Sequence, residues 1–323
     1  MPAAYISPIA ADPRPPGSPH TVTGHRSCPL CGNADCVNRG EILHPEPAFV
    51  AGMPLALQGC KFSLLACGRC GFEFKSPAIP DEKLLQCYAA SSEYFSGWVV
   101  DPHNRRFDTI REMLLRHCGS PGRILDIGCF HASFLNYLGT QWKRFGVEPS
   151  QGASRVAEQK GVSILAATLD ALPADTPPFD VITAMDLIEH LNEPMPFFRL
   201  VHQKLKPGGL VLLLSGDVEA WPSRLMSNLY WYCSLPEHCA FFSRESLEYI
   251  CSMVGFELVE YRRLCHSRAT LWHKTKDLIK NFGYLAVRRL GGLRIGRLRR
   301  AIDRCGPGWL SASDHFYVIL KKR

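Results

Sequence analysis

The chain has 323 residues, 46% of them hydrophobic, and carries 37 lysines and arginines against 30 aspartates and glutamates, a net charge of +7. The composition is globular, and the length accommodates one domain of ordinary size plus a smaller module. No run approaches the ~20 apolar residues that cross a bilayer as a helix, and fourteen cysteines without an export signal point to thiols in a reducing, cytoplasmic compartment rather than to a disulfide scaffold.

Residues 1–25 are rich in proline (Pro2, Pro8, Pro13, Pro15, Pro16 and Pro19) and read as a flexible tail. Residues 26–80 hold two near copies of one turn, Cys28-Pro-Leu-Cys31-Gly32 and Cys67-Gly-Arg-Cys70-Gly71. Two such turns supply four thiolates for one tetrahedral zinc ion, and the glycine after each lets backbone amides approach the sulfurs. The alternative is four buried free thiols. Cys36 and Cys60 are spare thiols of the same segment. Four thiolates leave no open coordination position, so such a zinc is structural.

Residues 81–122 read as a helical connector. Phe107, Ile110, Met113, Leu114 and His117 recur at helical spacing, and Gly119-Ser-Pro-Gly122 ends the helix. It serves either as a lid, with Tyr94 and Phe95, or as a packing helix on a sheet edge.

Strand, glycine turn, helix and strand follow in succession. Arg123-Ile-Leu-Asp-Ile-Gly128 stops on Asp126 and Gly128; Phe134, Leu135 and Leu138 mark a helix; Arg144-Phe-Gly-Val-Glu148 ends on a second acid. This is a nucleotide-binding βαβ unit, in which the second acid takes the ribose hydroxyls. A dehydrogenase fingerprint would need glycines where Phe130 and Ser133 stand. Downstream, Phe179 to Met185 is a buried strand that leads to Asp186 and His190. A helix reaches Leu205, the turn Lys206-Pro-Gly-Gly209 follows, and Leu210 to Leu214 is an apolar strand.

These motifs resemble the class I S-adenosylmethionine-dependent methyltransferases, from Arg123 to Leu264 and again from His315 to Lys321. The resemblance implies an α/β, Rossmann-like seven-stranded sheet built from residues 123–265 and 312–323. It implies S-adenosylmethionine as cofactor, held by Asp126, Gly128, Cys129, Glu148, Asp170 and Asp186. The chain departs from the family pattern at Phe130 and Ala132, where the second and third glycines belong. A positive φ at 130 would cost ~1–2 kcal/mol, whereas Ala132 adds a methyl. Joined to a zinc ribbon, the pattern is similar to C-methyltransferases of nucleotide-linked deoxysugars and their glycan-cluster relatives, and to ribosomal RNA guanine methyltransferases.

Trp221, Tyr230, Trp231 and Tyr232, then Pro236-Glu237-His238, lie in the connection that overhangs the methyl donor in this fold. His238 is the candidate general base because imidazole titrates near neutral pH, with His190 its competitor. From His266 to Arg304, eleven lysines and arginines face only Asp277 and Asp303, a net +9 that leaves −2 for the rest of the chain. Residues 266–311 therefore form a basic insert before the last strand. Its apolar stripe (Leu271, Thr275, Leu278, Ile279, Phe282, Leu285, Ala286) suits an anionic membrane surface at the inner face, a phosphate-bearing acceptor or RNA, or else packs on its own domain.

The expected activity is methyl transfer to a small or lipid-linked acceptor, a sugar or glycan precursor. Ribosomal RNA methylation is the second reading, and an inactive binding protein disabled by Phe130 the third.

Overall fold

The computed structural model describes residues 27–44, 47–57, 59–90, 105–265, 271–289 and 313–323. The expected tail, Tyr94, Phe95 and the second half of the basic insert lie outside the described residues.

The cysteine segment contains β1 (Cys36–Ile42), the paired β2 (Ala48–Val50) and β3 (Met53–Leu55), β4 (Phe62–Cys67) and β5 (Glu73–Ser76). Strands β1, β4 and β5 pair antiparallel. Helix α1 (Asp81–Ala90) buries Leu84, Cys87 and Tyr88 with Val50 and Ile79. Helix α2 (Arg105–His117) buries Phe107, Ile110, Met113 and Leu114 among Phe134, Leu138, Tyr317 and Ile319. Most of the connector helix is therefore packing, as its spacing of apolar residues requires.

The chain then alternates β6 (Arg123–Ile127), α3 (Ser133–Leu138), β7 (Lys143–Val147), α4 (Gln151–Gln159), β8 (Ser163–Ala166), β9 (Phe179–Met185), α5 (Pro194–Lys204) and β10 (Leu205–Gly216). Next come α6 (Trp221–Met226), α7 (Trp231–Ser234), β11 (Ala240–Phe241), α8 (Arg244–Val254), β12 (Phe256–Leu264), α9 (Leu271–Arg289) and β13 (His315–Lys322). Seven strands form one sheet in the order β12-β13-β10-β9-β6-β7-β8. The five from β8 to β10 are parallel, and β13 runs antiparallel between β10 and β12. This is the α/β, Rossmann-like sheet expected. Leu210 to Leu214 are all buried because helices cover both faces, which accounts for an unbroken apolar run. After β8 the chain returns to the far side of β6, so a crevice opens over the carboxyl ends of β6 and β9.

The turn expected at 206–209 is part of β10. Leu205 already pairs with Phe179, and the register shifts before Leu210, with Gly208 at φ +72°. A larger departure from the linear order joins the two halves of the protein. Strand β11 adds to the cysteine sheet beside β5, matching Ala240 to Phe74 and Phe241 to Glu73. Phe72, Phe74 and Cys28 consequently share one core with Val211, Leu213 and Phe316.

Candidate cofactor and metal sites

The loop after β6 holds three residues in the left-handed region: Gly128 at φ +72°, Phe130 at +50° and Ala132 at +51°. The reading of Ala132 as merely an added methyl is corrected, because its backbone is as strained as that of Phe130. Each non-glycine residue there costs roughly 1–2 kcal/mol. The conformation aims the Phe130 amide at Glu148, whose Oε2 accepts it at 2.8 Å. The ring of Phe130 stacks on His131, with centroids 3.8 Å apart.

Glu148 is buried at the end of β7 and its Oε1 accepts the Ser150 amide at 2.8 Å. Each oxygen keeps a second lone pair, so both can still accept from a vicinal diol. Asp126, buried at the end of β6, accepts from the Thr183 hydroxyl at 2.6 Å. Burial pushes Asp126 and Glu148 up to about 7, against the opposing hydrogen bonds. Cys129 is buried behind them, its Sγ filling the space that a side chain at Gly146 would take, and burial raises its thiol.

Asp186 follows β9 with φ +49° and receives Arg106 of α2 at 2.9 Å. Arg106, absent from the sequence reading, brings the first turn of the connector helix to the crevice. Asp170 is exposed in the turn after β8.

His190 and His238 come together with ring centroids 4.9 Å apart. His238 Nδ1 lies 3.0 Å from the Tyr232 carbonyl, which can only accept, so Nδ1 carries the proton and Nε2 the lone pair. His190 Nδ1 lies 3.2 Å from both the Tyr88 hydroxyl and the Glu237 carbonyl. Burial holds His190 down to about 3 and His238 well below the usual imidazole range. The sequence argument from titration near neutral pH is therefore corrected. Both rings stay neutral at pH 7, and both are weak bases. Glu189 completes the cluster: its Oε1 accepts from Tyr232 and its Oε2 from Ser215, each at 2.8 Å. One ligand-type atom each of Glu189, His190 and His238 falls within 4.8 Å of the others. Tyr232 belongs to the aromatic connection that the sequence marks, whereas Glu189 and Tyr88 carry no such signal beyond the adjacency of Glu189 to His190. Tyr230, Trp231 and Tyr232 are core residues, whereas Trp221 is exposed.

Beside this cluster a narrow cleft lies between the cysteine sheet and the end of β10. Glu73, Gly216, Asp217, Tyr230, Tyr232 and Phe241 line it.

Cys28, Cys31, Cys67 and Cys70 converge, with all four sulfurs within 4.8 Å. The Cys28–Cys70 and Cys31–Cys67 distances are 3.7 and 3.5 Å. Sulfurs ~2.3 Å from a tetrahedral ion stand ~3.8 Å apart, so the four fit zinc and are too far apart for disulfides. The Cys36 sulfur hydrogen-bonds the Asn33 carbonyl instead.

A family model described as "Methyltransferase domain" matches residues 102–261. Together with the seven-stranded sheet, this match makes residues 102–261 a methyltransferase domain on a Rossmann-like sheet. The methyltransferase domain is similar to Ubiquinone biosynthesis O-methyltransferase of Azoarcus sp., 26% identical over 191 residues, 54% of this chain and 82% of that protein. The namesake from Ruegeria pomeroyi is 35% identical over 27% of this chain and 38% of its own length. A tRNA U34 carboxymethyltransferase of Pseudoalteromonas translucida is 24% identical over 48% of this chain and 52% of its own length.

Proposed function

We propose that the protein transfers a methyl group from S-adenosylmethionine to a small or lipid-linked acceptor. The observation that carries the reading is the pair of buried acids, Asp126 and Glu148, at the ends of adjacent parallel strands, with the loop amides folded onto Glu148. Glu148 accepts the ribose hydroxyls. Gly128 and Cys129 form the turn beneath the nucleoside, Asp126 braces it through Thr183, and Asp186, fixed by Arg106, faces the methionine end. Asp170 stands where adenine would lie. Bound there, S-adenosylmethionine supplies an already activated methyl, so the protein need only align the acceptor and exclude water.

The acceptor approaches from the side of the cleft between the cysteine sheet and β10, next to Tyr232 and the His190–His238 pair. The neutral Nε2 of His238 and its neighbour His190 are the candidate groups for receiving the acceptor proton. Zinc, held by Cys28, Cys31, Cys67 and Cys70, fixes the turns of the sheet that forms one wall. The likeness to a ubiquinone O-methyltransferase supports a lipid-linked acceptor before a nucleotide-linked sugar or glycan precursor. The relative named for tRNA keeps RNA as a second reading.

Incubating the protein with cell extract and methyl-labelled cofactor, then scoring water-soluble, lipid and RNA fractions, tests this. Label in a small-molecule or lipid fraction is expected, and label confined to RNA would replace the reading. Failure to bind S-adenosylmethionine at all would leave a binding protein built on the same fold.

A further inference from the structure

Helix α9 has two apolar faces, and only one is covered. The sequence put its apolar residues in a single stripe; the structure divides them, because the helix lies on α6 along one side. Leu278 and Tyr284 pack with Met226, Tyr230 and Trp231, and the buried Leu285 lines a groove with Met226 and Leu278. On the other side Trp272, Ile279 and Phe282 are 69, 66 and 50% exposed. These three are seven and three residues apart, which places them along one line of the helix. Trp221 of α6, 50% exposed, lines the same groove as Phe282, so the apolar surface continues onto the neighbouring helix. Lys276 and Lys280 are exposed beside the stripe, and the helix's one acid, Asp277, is half-buried.

Single exposed apolar side chains are ordinary, whereas a line of them spanning two helices and rimmed by lysine is a docking surface. We propose that this face of α9, with Trp221, lies flat on an anionic lipid bilayer. Charge selects the occupant: α9 carries Lys274, Lys276, Lys280, Arg288 and Arg289 against the single acid Asp277, a net of +4 on one helix. A second copy of the chain would bring lysine against lysine. RNA would leave Ile279, at the centre of the stripe, facing phosphates. Tryptophan and phenylalanine flanked by lysine suit the boundary between headgroups and acyl chains, where rings enter and ammonium groups stay at the phosphates. The surface is independent of the proposed methyl transfer and needs no cofactor.

Co-sedimentation of the full-length protein with phosphatidylglycerol–phosphatidylcholine vesicles tests it. Binding is expected at low salt, with a salt-resistant remainder due to the apolar stripe, and little on pure phosphatidylcholine. The double variant Trp272→Ser/Ile279→Ser touches no covered residue and should lower partitioning roughly tenfold at unchanged melting temperature, since the loss follows from apolar area leaving the interface. Lys276→Glu/Lys280→Glu should abolish the preference for anionic lipid. Both variants should bind S-adenosylmethionine as the parent does, which separates this result from failure of the methyltransferase reading. Equal partitioning of parent and Trp272→Ser/Ile279→Ser, no binding to anionic vesicles, or binding to a single-stranded RNA probe but not to vesicles would each overturn the proposal.

Discussion

Lys75, on strand β5 of the cysteine sheet, donates from its Nζ to the Leu235 carbonyl at 2.7 Å and to that of Pro236 at 3.3 Å. The ammonium is fully buried and leans on Phe62. It holds the loop that leads to His238 from the side of the cysteine module, in parallel with the β5–β11 pairing.

Replacing Lys75 with Met should therefore destabilise the protein by about 1–3 kcal/mol at pH 7, because two buried carbonyls lose their donor. Burial lowers Lys75 from its ordinary 10.5 to about 8. Between those values the unfolded chain holds a proton that the native state has released, so the lysine's contribution to stability grows as pH rises from about 8 to 10.5. Urea unfolding of parent and Lys75→Met across that window measures both effects. Equal stability at every pH would remove Lys75 as the tie.

The acids of the cofactor crevice have the opposite sign. Asp126 and Glu148 are raised to about 7 in the native state from ordinary values of 3.8 and 4.5. Between about 4 and 7 the native state keeps protons that the unfolded chain has lost, so the two groups reduce stability as pH rises through that window. Asp126→Asn and Glu148→Gln should flatten the decline and raise the pH 7 melting temperature of cofactor-free protein. Calorimetric unfolding between pH 4 and 8 decides; a parent whose stability climbs steadily over the range, unchanged by either substitution, would contradict it.

The same Glu148→Gln variant should bind S-adenosylmethionine more weakly by about 1.5–3 kcal/mol, through loss of charge-assisted hydrogen bonds to the ribose. Titration calorimetry at pH 8 gives the number. Undiminished affinity would put the ribose elsewhere.

Phe130→Gly tests whether the missing glycine disables the site. Relief of ~1–2 kcal/mol of left-handed strain is partly offset by the ~0.5–1 kcal/mol of backbone entropy glycine adds. On these terms stability should rise by no more than about 1.5 kcal/mol, and cofactor affinity should change by less than tenfold. An increase of several hundredfold would mean that Phe130 had closed the site.

Purified protein prepared without chelator should carry one zinc per chain, since four thiolates within 4.8 Å of one another form a closed tetrahedral site. Emission spectrometry on the parent and on Cys67→Ser/Cys70→Ser checks the assignment. Full occupancy in the double variant would transfer the metal to other ligands.

Local pattern was sufficient for the sheet and for the four cysteines. Arg123 to Glu148 encodes strand, turn, helix and strand in 26 consecutive residues, and each Cys-x-x-Cys-Gly turn closes on itself through a backbone bond from Gly32 to Cys28 or from Gly71 to Cys67. Such signals survive in one dimension because the interacting groups are neighbours along the chain. Tertiary structure alone decided the rest. Lys75 and Leu235 are 160 residues apart, and Arg106 and Asp186 are 80 apart, so no periodicity announces either contact. The same holds for β11, two residues long, which has no pattern of its own and becomes a strand because β5 presents an open edge. Whether Ile279 faces solvent or core depends on where α6 lies, and whether a histidine is a useful base depends on how far His190 and His238 are removed from water. Burial and long-range pairing are properties of the folded chain, and sequence spacing does not contain them.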